Sequence, residues 1–510
     1  MTAPVAPAPP PAPGNPVTGQ LRAATSGFQL ATRRNVELAL LLFVMVLLLG
    51  YAAAVEAAVI EEITGDFWVQ TATLGVLFFA AHLAVRFLAP NADPVLLPAV
   101  AFINGLGVLF LRRVDYAYLT KAKVALRADF SPWAGLGGKQ LLWTVIALVF
   151  AIVILVVVRD HKSMSKYAYT LGLLGIILVL IPALLPASLA QREGQSNGAK
   201  LWIRVGSYSI QPGEFAKIML LVFFAYYLVK KREVLSLASR RFLGIDFPRG
   251  RDLGPVITVW VLSLMILVFV KDLGTSLMYF GMFVVTVYIA TERASWLIIG
   301  LGLFLGGAFL AYFLGASVGG PFANFYTRAE IWLDPFADPS GDGYQLVQSL
   351  LGLGQGGLFG EGPGNGSPRF IPEVQNDLIF AGLGEEIGLF GLTAILMVYL
   401  LIVERGLRTA LGVRDAFGKL FAGGMSFTLG LQVFVIVGGV TRLIPLTGQT
   451  TPFMSAGGSS LMANWILIFL LLRISDAARN PASTSASARP GVGRRNPPEQ
   501  LHDAPTEMIR

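Results

Sequence analysis

Long apolar stretches recur along almost the whole chain, and they limit the fold before anything else does. One helix needs roughly 20 apolar residues to cross the hydrocarbon core of a bilayer. Runs of that kind fall at 36–58, 68–88, 94–111, 140–158, 168–189, 212–229, 253–270, 273–290, 295–316, 379–403, 418–440 and 457–473. The chain of 510 residues is 55% hydrophobic and only 14% charged, too little charge to wet the surfaces of several soluble domains. The expected fold class is an all-α polytopic membrane protein of about twelve transmembrane helices with a large extracytoplasmic loop.

The flanks differ in composition. Residues 1–34 begin Pro/Ala-rich and then turn polar, and 476–510 are rich in Ala, Ser and Pro. Both are expected to be disordered tails. Arg33 and Arg34 precede a run long enough to span, so residues 36–58 read as a first membrane helix rather than a cleaved signal.

Basic residues set the orientation, because Lys and Arg collect on the cytoplasmic side. They crowd the two tails and the loops 159–167, 230–252 and 404–417. An even number of spans places all of these on one side, which puts both termini in the cytoplasm. One loop argues the other way: 112–139 falls outside yet carries Arg112, Arg113, Lys121, Lys123, Arg127 and Lys139. The outer side also receives 190–211, 441–456 and the long Gly-rich 317–378. A connection of that length is usually functional or disordered. Its interspersed apolar residues favour packing on the helix ends.

Several chemistries are excluded. There is no cysteine, so disulfides, thiolate metal sites and cysteine nucleophiles fall away. His82 and His161 lie toward the cytoplasmic side and His502 in the tail. No Ser-His-Asp hydrolase or His-ligated zinc is therefore available outside. A metal acting there would be hard and oxygen-ligated, Mg²⁺ or Mn²⁺. The net charge of +8 reports topology, and no aromatic-basic interleaving argues for nucleic acid. Neither Gly138-Lys139 nor Gly418-Lys419 continues into a Walker A sequence.

A few charged residues inside or beside spans stand out, since such charges are expensive in lipid. Glu214 and Lys217 lie three apart on one helix face. They make either a local ion pair or part of a site. Lys271 and Asp272 occupy a two-residue break between spans, a wet turn in its plainest reading. Asp377 stands where the long loop enters the tenth span. It either caps the helix or acts as a general base on a rigid support. Glu385 and Glu386 follow in the same helix, as structural acids or as a tie to the long loop through Arg328.

Four segments together resemble the SEDS family of shape, elongation, division and sporulation proteins. They are Gly198–Ile203 leading to Ile210–Lys217, Lys271–Ser276, Gly343–Ser349 followed by Pro372–Gly388, and Pro445–Ser460. Their order and spacing match from roughly residue 94 to 475. The sequence departs from the family pattern at Gly213, Lys271, Gln375, Asn376, Ile436, Val440 and Ala456. The resemblance implies a ten-helix core over 94–475, with 35–93 as an added N-terminal pair. It also implies a peptidoglycan glycosyltransferase that polymerises lipid II into glycan strands, with a class B penicillin-binding transpeptidase as partner. The elongation-type, actinobacterial branch fits better than the division type.

By the same resemblance the essential acid is Asp377 and its partner lysine is Lys217. Gln211, Glu214, Asp272, Glu373 and Ser459 fall in the matched motifs as substrate-binding candidates. Lys200 and Arg328 are either phosphate ligands or plain surface charges. Trp202 either stacks on sugar or sits in the interfacial aromatic belt. The implied chemistry is one inverting displacement: Asp377 takes the acceptor hydroxyl proton and polyprenyl pyrophosphate leaves. Lys217 would stabilise the leaving phosphates or pair with Asp377, and a cation near Asp377 would lower its pKa. A lipid II flippase, a division-type polymerase and a recruiting scaffold are the alternatives.

Overall fold

The computed structural model describes residues 16–121, 131–186, 189, 201–205, 208–236, 238–242, 245–248, 254–266 and 272–480. Eleven helices among these residues are long and apolar enough to cross a membrane. In chain order the helices are α1 (Pro16–Val59), α2 (Gly65–Leu88), α3 (Leu96–Lys121), α4 (Gly135–Val157), α5 (Ala168–Leu184), α6 (Pro212–Ser236) and α7 (Gly254–Met265). Then come α8 (Leu273–Thr291), α9 (Ser295–Ser317), α10 (Ala323–Leu333), α11 (Tyr344–Gly356), α12 (Ile379–Gly412), α13 (Ala416–Val440) and α14 (Gly458–Arg479). Two small antiparallel hairpins interrupt the helices, β1 (Ile203–Val205) with β2 (Tyr208–Ile210) and β3 (Ala238–Phe242) with β4 (Ile245–Pro248). The protein is thus an all-helical, multi-pass membrane protein. Helix α1 already starts at Pro16, inside the stretch expected to be a disordered tail.

The twelfth traverse is the short one. Helices α6 and α8 run in the same direction, because Tyr279 of α8 donates to the Gly213 carbonyl of α6 at 2.8 Å and their far ends meet through Arg232 and Glu292 at 3.5 Å. The chain must therefore recross between them. The helix available among the described residues is α7, which packs on α8 within the expected span 253–270.

Helix α3 removes two of the six basic residues from the conflict in the charge count, while Lys139 stays exposed. Its span runs from Leu96 to Leu119, beyond the expected end at 111. Arg112 and Arg113 are buried helix residues, not loop charges. Arg112 pairs with Asp66 at 3.0 Å and Arg113 with Glu386 at 2.8 Å. Paired in this way they do not report topology. Lys123 and Arg127 lie outside the described residues.

Two irregular segments enter the helical body, and each is held by hydrogen bonds from the protein around it. The first is a break in α12 at Gly388, where φ is 66°. The carbonyls of Glu385 and Glu386 accept from the amides of Glu361 and Gly362, both at 2.9 Å. The amides of Leu389 and Phe390 donate to the carbonyls of Gly357 and Leu358. The second is the segment between α13 and α14, which is re-entrant. Asn104 of α3 donates to the Phe453 carbonyl at 3.1 Å, and Tyr399 of α12 donates to the Pro452 carbonyl at 2.5 Å. Gln140 of α4 donates to the Ser455 carbonyl at 2.9 Å, and Gln432 of α13 to the Thr450 carbonyl at 2.8 Å. Counting back from Leu119 to Asn104 at 1.5 Å per residue, Phe453 lies about 20 Å inside the end of α3.

This depth requires glycine opposite the segment. A Cβ on Gly107 would sit 2.6 Å from the Met454 Cα. Gly107→Ala is expected to destabilise the fold by about 1–3 kcal/mol, read as a lower thermal midpoint in detergent micelles. Gly302→Ala, whose Cβ would meet nothing within 4 Å, is the control expected to leave the midpoint in place.

Candidate active site

Asp377 ends a tight turn built by its neighbours. Glu373 adopts a left-handed φ of 50°, a strained conformation for a residue with a Cβ. Its carboxylate accepts from the side-chain amides of Gln375, at 3.3 Å, and Asn376. The Asn376 amide closes the turn onto the Glu373 carbonyl at 2.8 Å. From the far side the re-entrant segment grips the same backbone. Ala456 donates its amide to the Gln375 carbonyl at 2.7 Å, and Ser455 Oγ donates to the Asn376 carbonyl. Tyr118 OH donates to Gln375 Oε1 at 3.3 Å.

The carboxylate so placed is buried, 8% exposed, with Gln345 Nε2 at 3.5 Å. It is not the cap of α12. Leu378 occupies that position, and the helix start has no side-chain cap. Burial pushes the Asp377 carboxyl up to about 6, against the pull of its own amide and of Arg328, while Glu373 adds to the rise. The expected depression by a neighbouring cation is therefore reversed, because loss of water outweighs the charge attraction.

Arg328 is the cation that acts here. It reaches from α10 to donate to the Leu446 carbonyl at 2.6 Å and lies over Gly448, whose φ is 72°. It also acts on Asp272. Asp272 is the N-cap of α8, accepting from the Gly274 amide at 3.0 Å and from Thr275 Oγ1. Gln449 Nε2 is a further donor to it at 3.3 Å. Burial raises the Asp272 carboxyl above the usual range; Thr275 and Arg328 pull it back. The plain wet turn expected at Asp272 is thus a buried junction.

Lys217 is placed differently from the expectation. Its ammonium pairs with Glu214 at 2.8 Å and donates to Gln432 Oε1 at 3.0 Å. The Lys217–Asp377 ion pair is replaced by a local i,i+3 pair, and Gln432 passes the contact on to Thr450. Nor does Arg328 tie down the acids of α12. Glu386 binds Arg113, and Glu385 accepts from the Ser367 amide at 2.8 Å.

The remaining candidates divide. Ser459 Oγ accepts from the Gln211 amide at 2.9 Å, both residues buried, which pins the start of α6 to the start of α14. Trp202 is buried beside β1. Lys200 lies outside the described residues. The re-entrant segment joins Arg328 (at Leu446), Asp272 (through Gln449), Lys217 (through Gln432) and the Asp377 turn. Asn104, Gln140, Gln432 and Tyr399, which hold that segment, and Gln449 within it, which reaches Asp272, were not singled out from the sequence. The available signal was a lone amide within an apolar run.

Fold and site together define a polytopic membrane protein with a buried carboxylate held at one end of its helices. The FtsW/RodA/SpoVE family, described as "Cell cycle protein", matches residues 94–480. The chain is 47% identical over 455 residues to peptidoglycan glycosyltransferase RodA of Mycobacterium tuberculosis, covering 89% of this chain and 93% of the relative. It is 35% identical over 320 residues to stage V sporulation protein E of Bacillus subtilis, covering 62% of this chain and 80% of the relative. The chain belongs to the FtsW/RodA/SpoVE, or SEDS, family. Among solved structures it is similar to Thermus thermophilus rod shape determining protein RodA, with 21% identity and a TM-score of 0.41 over 81% of this chain and 97% of that one. A chain from a peptidoglycan synthase complex gives 22% and 0.46 over 81% and 98%.

Arg328 holds the Asp377 carboxyl down, so removing it must move that titration upward. In Arg328→Gln the Asp377 carboxyl is expected to titrate above about 6. Infrared difference spectra against Asp377→Asn, taken across a pH series, read this without any activity assay.

Proposed function

We propose that this chain is a peptidoglycan glycosyltransferase of the RodA type, joining lipid II units with Asp377 as general base. The acceptor sugar's 4-hydroxyl gives its proton to the Asp377 carboxylate. The freed oxygen bonds to the anomeric carbon of the second lipid-linked sugar. The bond from that carbon to the polyprenyl pyrophosphate breaks, the pyrophosphate leaves with the electron pair, and α becomes β. One base and no covalent enzyme intermediate suffice for such an inversion.

The observation that carries this reading is the state of Asp377. A carboxyl that titrates at about 6 is mostly ionised at neutral pH, yet is a stronger base than an exposed aspartate. Its backbone is fixed from two sides, which favours a constant approach to the hydroxyl. Arg328 and Lys200 are the cations we assign to the leaving pyrophosphate. Lys217, neutralised by Glu214, takes a positioning role through Gln432 and Thr450 instead.

The acids present limit how a divalent cation fits. Among the described residues no three His, Cys, Asp or Glu side chains gather into a cage, and the oxygens of Glu373 and Asp272 are engaged in their own turns. Asp377 is the residue that would hold Mg²⁺ or Mn²⁺ if the cation arrives with the substrate's pyrophosphate. The cation would supply charge neutralisation at the departing phosphates.

The Lys and Arg distribution favours both termini in the cytoplasm, with Asp377 facing outside. The partner we propose, by the family resemblance, is a class B penicillin-binding transpeptidase. The test is polymerisation of purified lipid II with Mg²⁺ or Mn²⁺ and that partner present. Wild type is expected to make polymer, falling about tenfold per pH unit below about 6 as Asp377 protonates. Asp377→Asn, folded and partner-bound, is expected to make none. Equal polymer from both would remove Asp377 from the mechanism; lipid II crossing vesicles without polymer would identify a flippase.

A further inference from the structure

The helix pair α1–α2 lies before the residues that match the family. Its outer half nevertheless reaches the machinery that carries Asp377. Between Asp377 and the break at Gly388, α12 contributes only the short segment 379–387. One end of this segment carries the Asp377 turn. The other end carries Glu386, which is fully buried.

Glu386 is a hub. It accepts from Arg113 Nε at 2.8 Å and from the Gly364 amide at 3.1 Å. Arg113 in turn donates to the carbonyls of Gly364 at 2.9 Å and Gly366 at 2.6 Å. The Gly-rich loop is thereby strapped onto the end of the segment. Helix α1 closes the arrangement. Tyr51 OH donates to Glu386 Oε2 at 3.4 Å. Gly364, with φ at 88°, lies flush on α1: a Cβ there would be 2.8 Å from the Ala58 Cβ and 3.2 Å from the Val55 carbonyl.

We infer that α1, the first helix of the N-terminal pair, is a built-in brace for the reaction. Through Tyr51 and the bed it forms for Gly364, α1 holds the Arg113–Glu386 strap, and the strap fixes the far end of segment 379–387 and thus where Asp377 stands. Arg113, Glu386 and Tyr51 are positioning residues; none touches the reacting atoms. The catalytic consequence rests on Asp377 being the base, while the brace itself rests on the contacts alone. A misplacement of the order of 1 Å at the reacting group can cost about a hundredfold in rate. Loosening the strap therefore lowers turnover more than substrate binding.

The experiment uses the full chain with Arg113→Gln, Arg113→Lys and Tyr51→Phe. Arg113→Gln is expected to lower kcat for lipid II polymerisation roughly tenfold or more, with KM held within about a factor of two. Arg113→Lys keeps the charge and should regain most of kcat. Tyr51→Phe removes one oxygen and should lower kcat about two- to threefold; it keeps the test alive should Arg113→Gln fail to fold. Deuterium exchange without substrate is expected to rise across 357–387 in Arg113→Gln and Tyr51→Phe, and to stay unchanged across 161–184. A raised KM with kcat intact, or unchanged exchange across 357–387, would overturn the brace. Wild-type behaviour of Tyr51→Phe in both readouts would remove α1 from it. Exchange needs no turnover, so a wild type that fails to polymerise would sink the transferase reading while exchange still decides the brace.

Discussion

A backbone that leaves regular structure inside a membrane must find every hydrogen-bond partner within the protein, because lipid supplies none. The segment between α13 and α14 breaks regularity about 20 Å inside the end of α3, and most of the structure follows from meeting that demand. Four helices each spend one polar side chain on it: Asn104, Gln140, Tyr399 and Gln432. Asn104 is itself held by Trp465 Nε1 at 3.3 Å. Glycine at 107 clears the space. Once fixed, the segment becomes the surface on which the site is assembled, since Ser455 and Ala456 hold the Asp377 turn and Leu446 receives Arg328.

The opposite end of the bundle uses charge in the same way. Arg473 of α14 donates to the carbonyls of Leu88, Leu155 and Val158, which are orphan acceptors at the ends of α2 and α4. Glu37 joins α1 to α2 by binding Arg34 and His82, both at 2.7 Å. Asp93 meets Arg479 at 2.5 Å. Removing one partner of a buried pair strands the other charge, at a cost of about 3–5 kcal/mol. The added pair is thus latched at one end, and its first helix is used as a brace at the other.

Much of this architecture was legible in the sequence, because spans are written in single runs of apolar residues. Asp377 was legible too, as an acid at the mouth of a span. What stayed hidden is pairing over long distances in the chain. Nothing local tells Arg113 that it faces Glu386, so both arginines of α3 read as loop charge and the helix was ended early. For Lys217 the sequence left a local pair with Glu214, a phosphate contact and a pair with Asp377 open, and the structure shows the local pair. The lone amides Asn104, Gln140 and Gln432 looked like tolerated impurities in apolar runs. The pKa direction of Asp377 depended on burial, which no motif encodes. The span expected at 253–270 is seen among the described residues as the short α7, Gly254–Met265, where the parallel course of α6 and α8 requires the chain to return.

The re-entrant segment also has a history. A chain is made from its N-terminus, and its parts settle as they appear. The side chains that receive the segment belong to α3, α4, α12 and α13, all synthesised before it; Trp465, which steadies Asn104, comes just after. The receiving walls can therefore stand ready while the last hairpin is still emerging. On this order of events the site closes only once the hairpin before α14 has emerged, and a chain stopped short of it carries the acid without the surface that aims it.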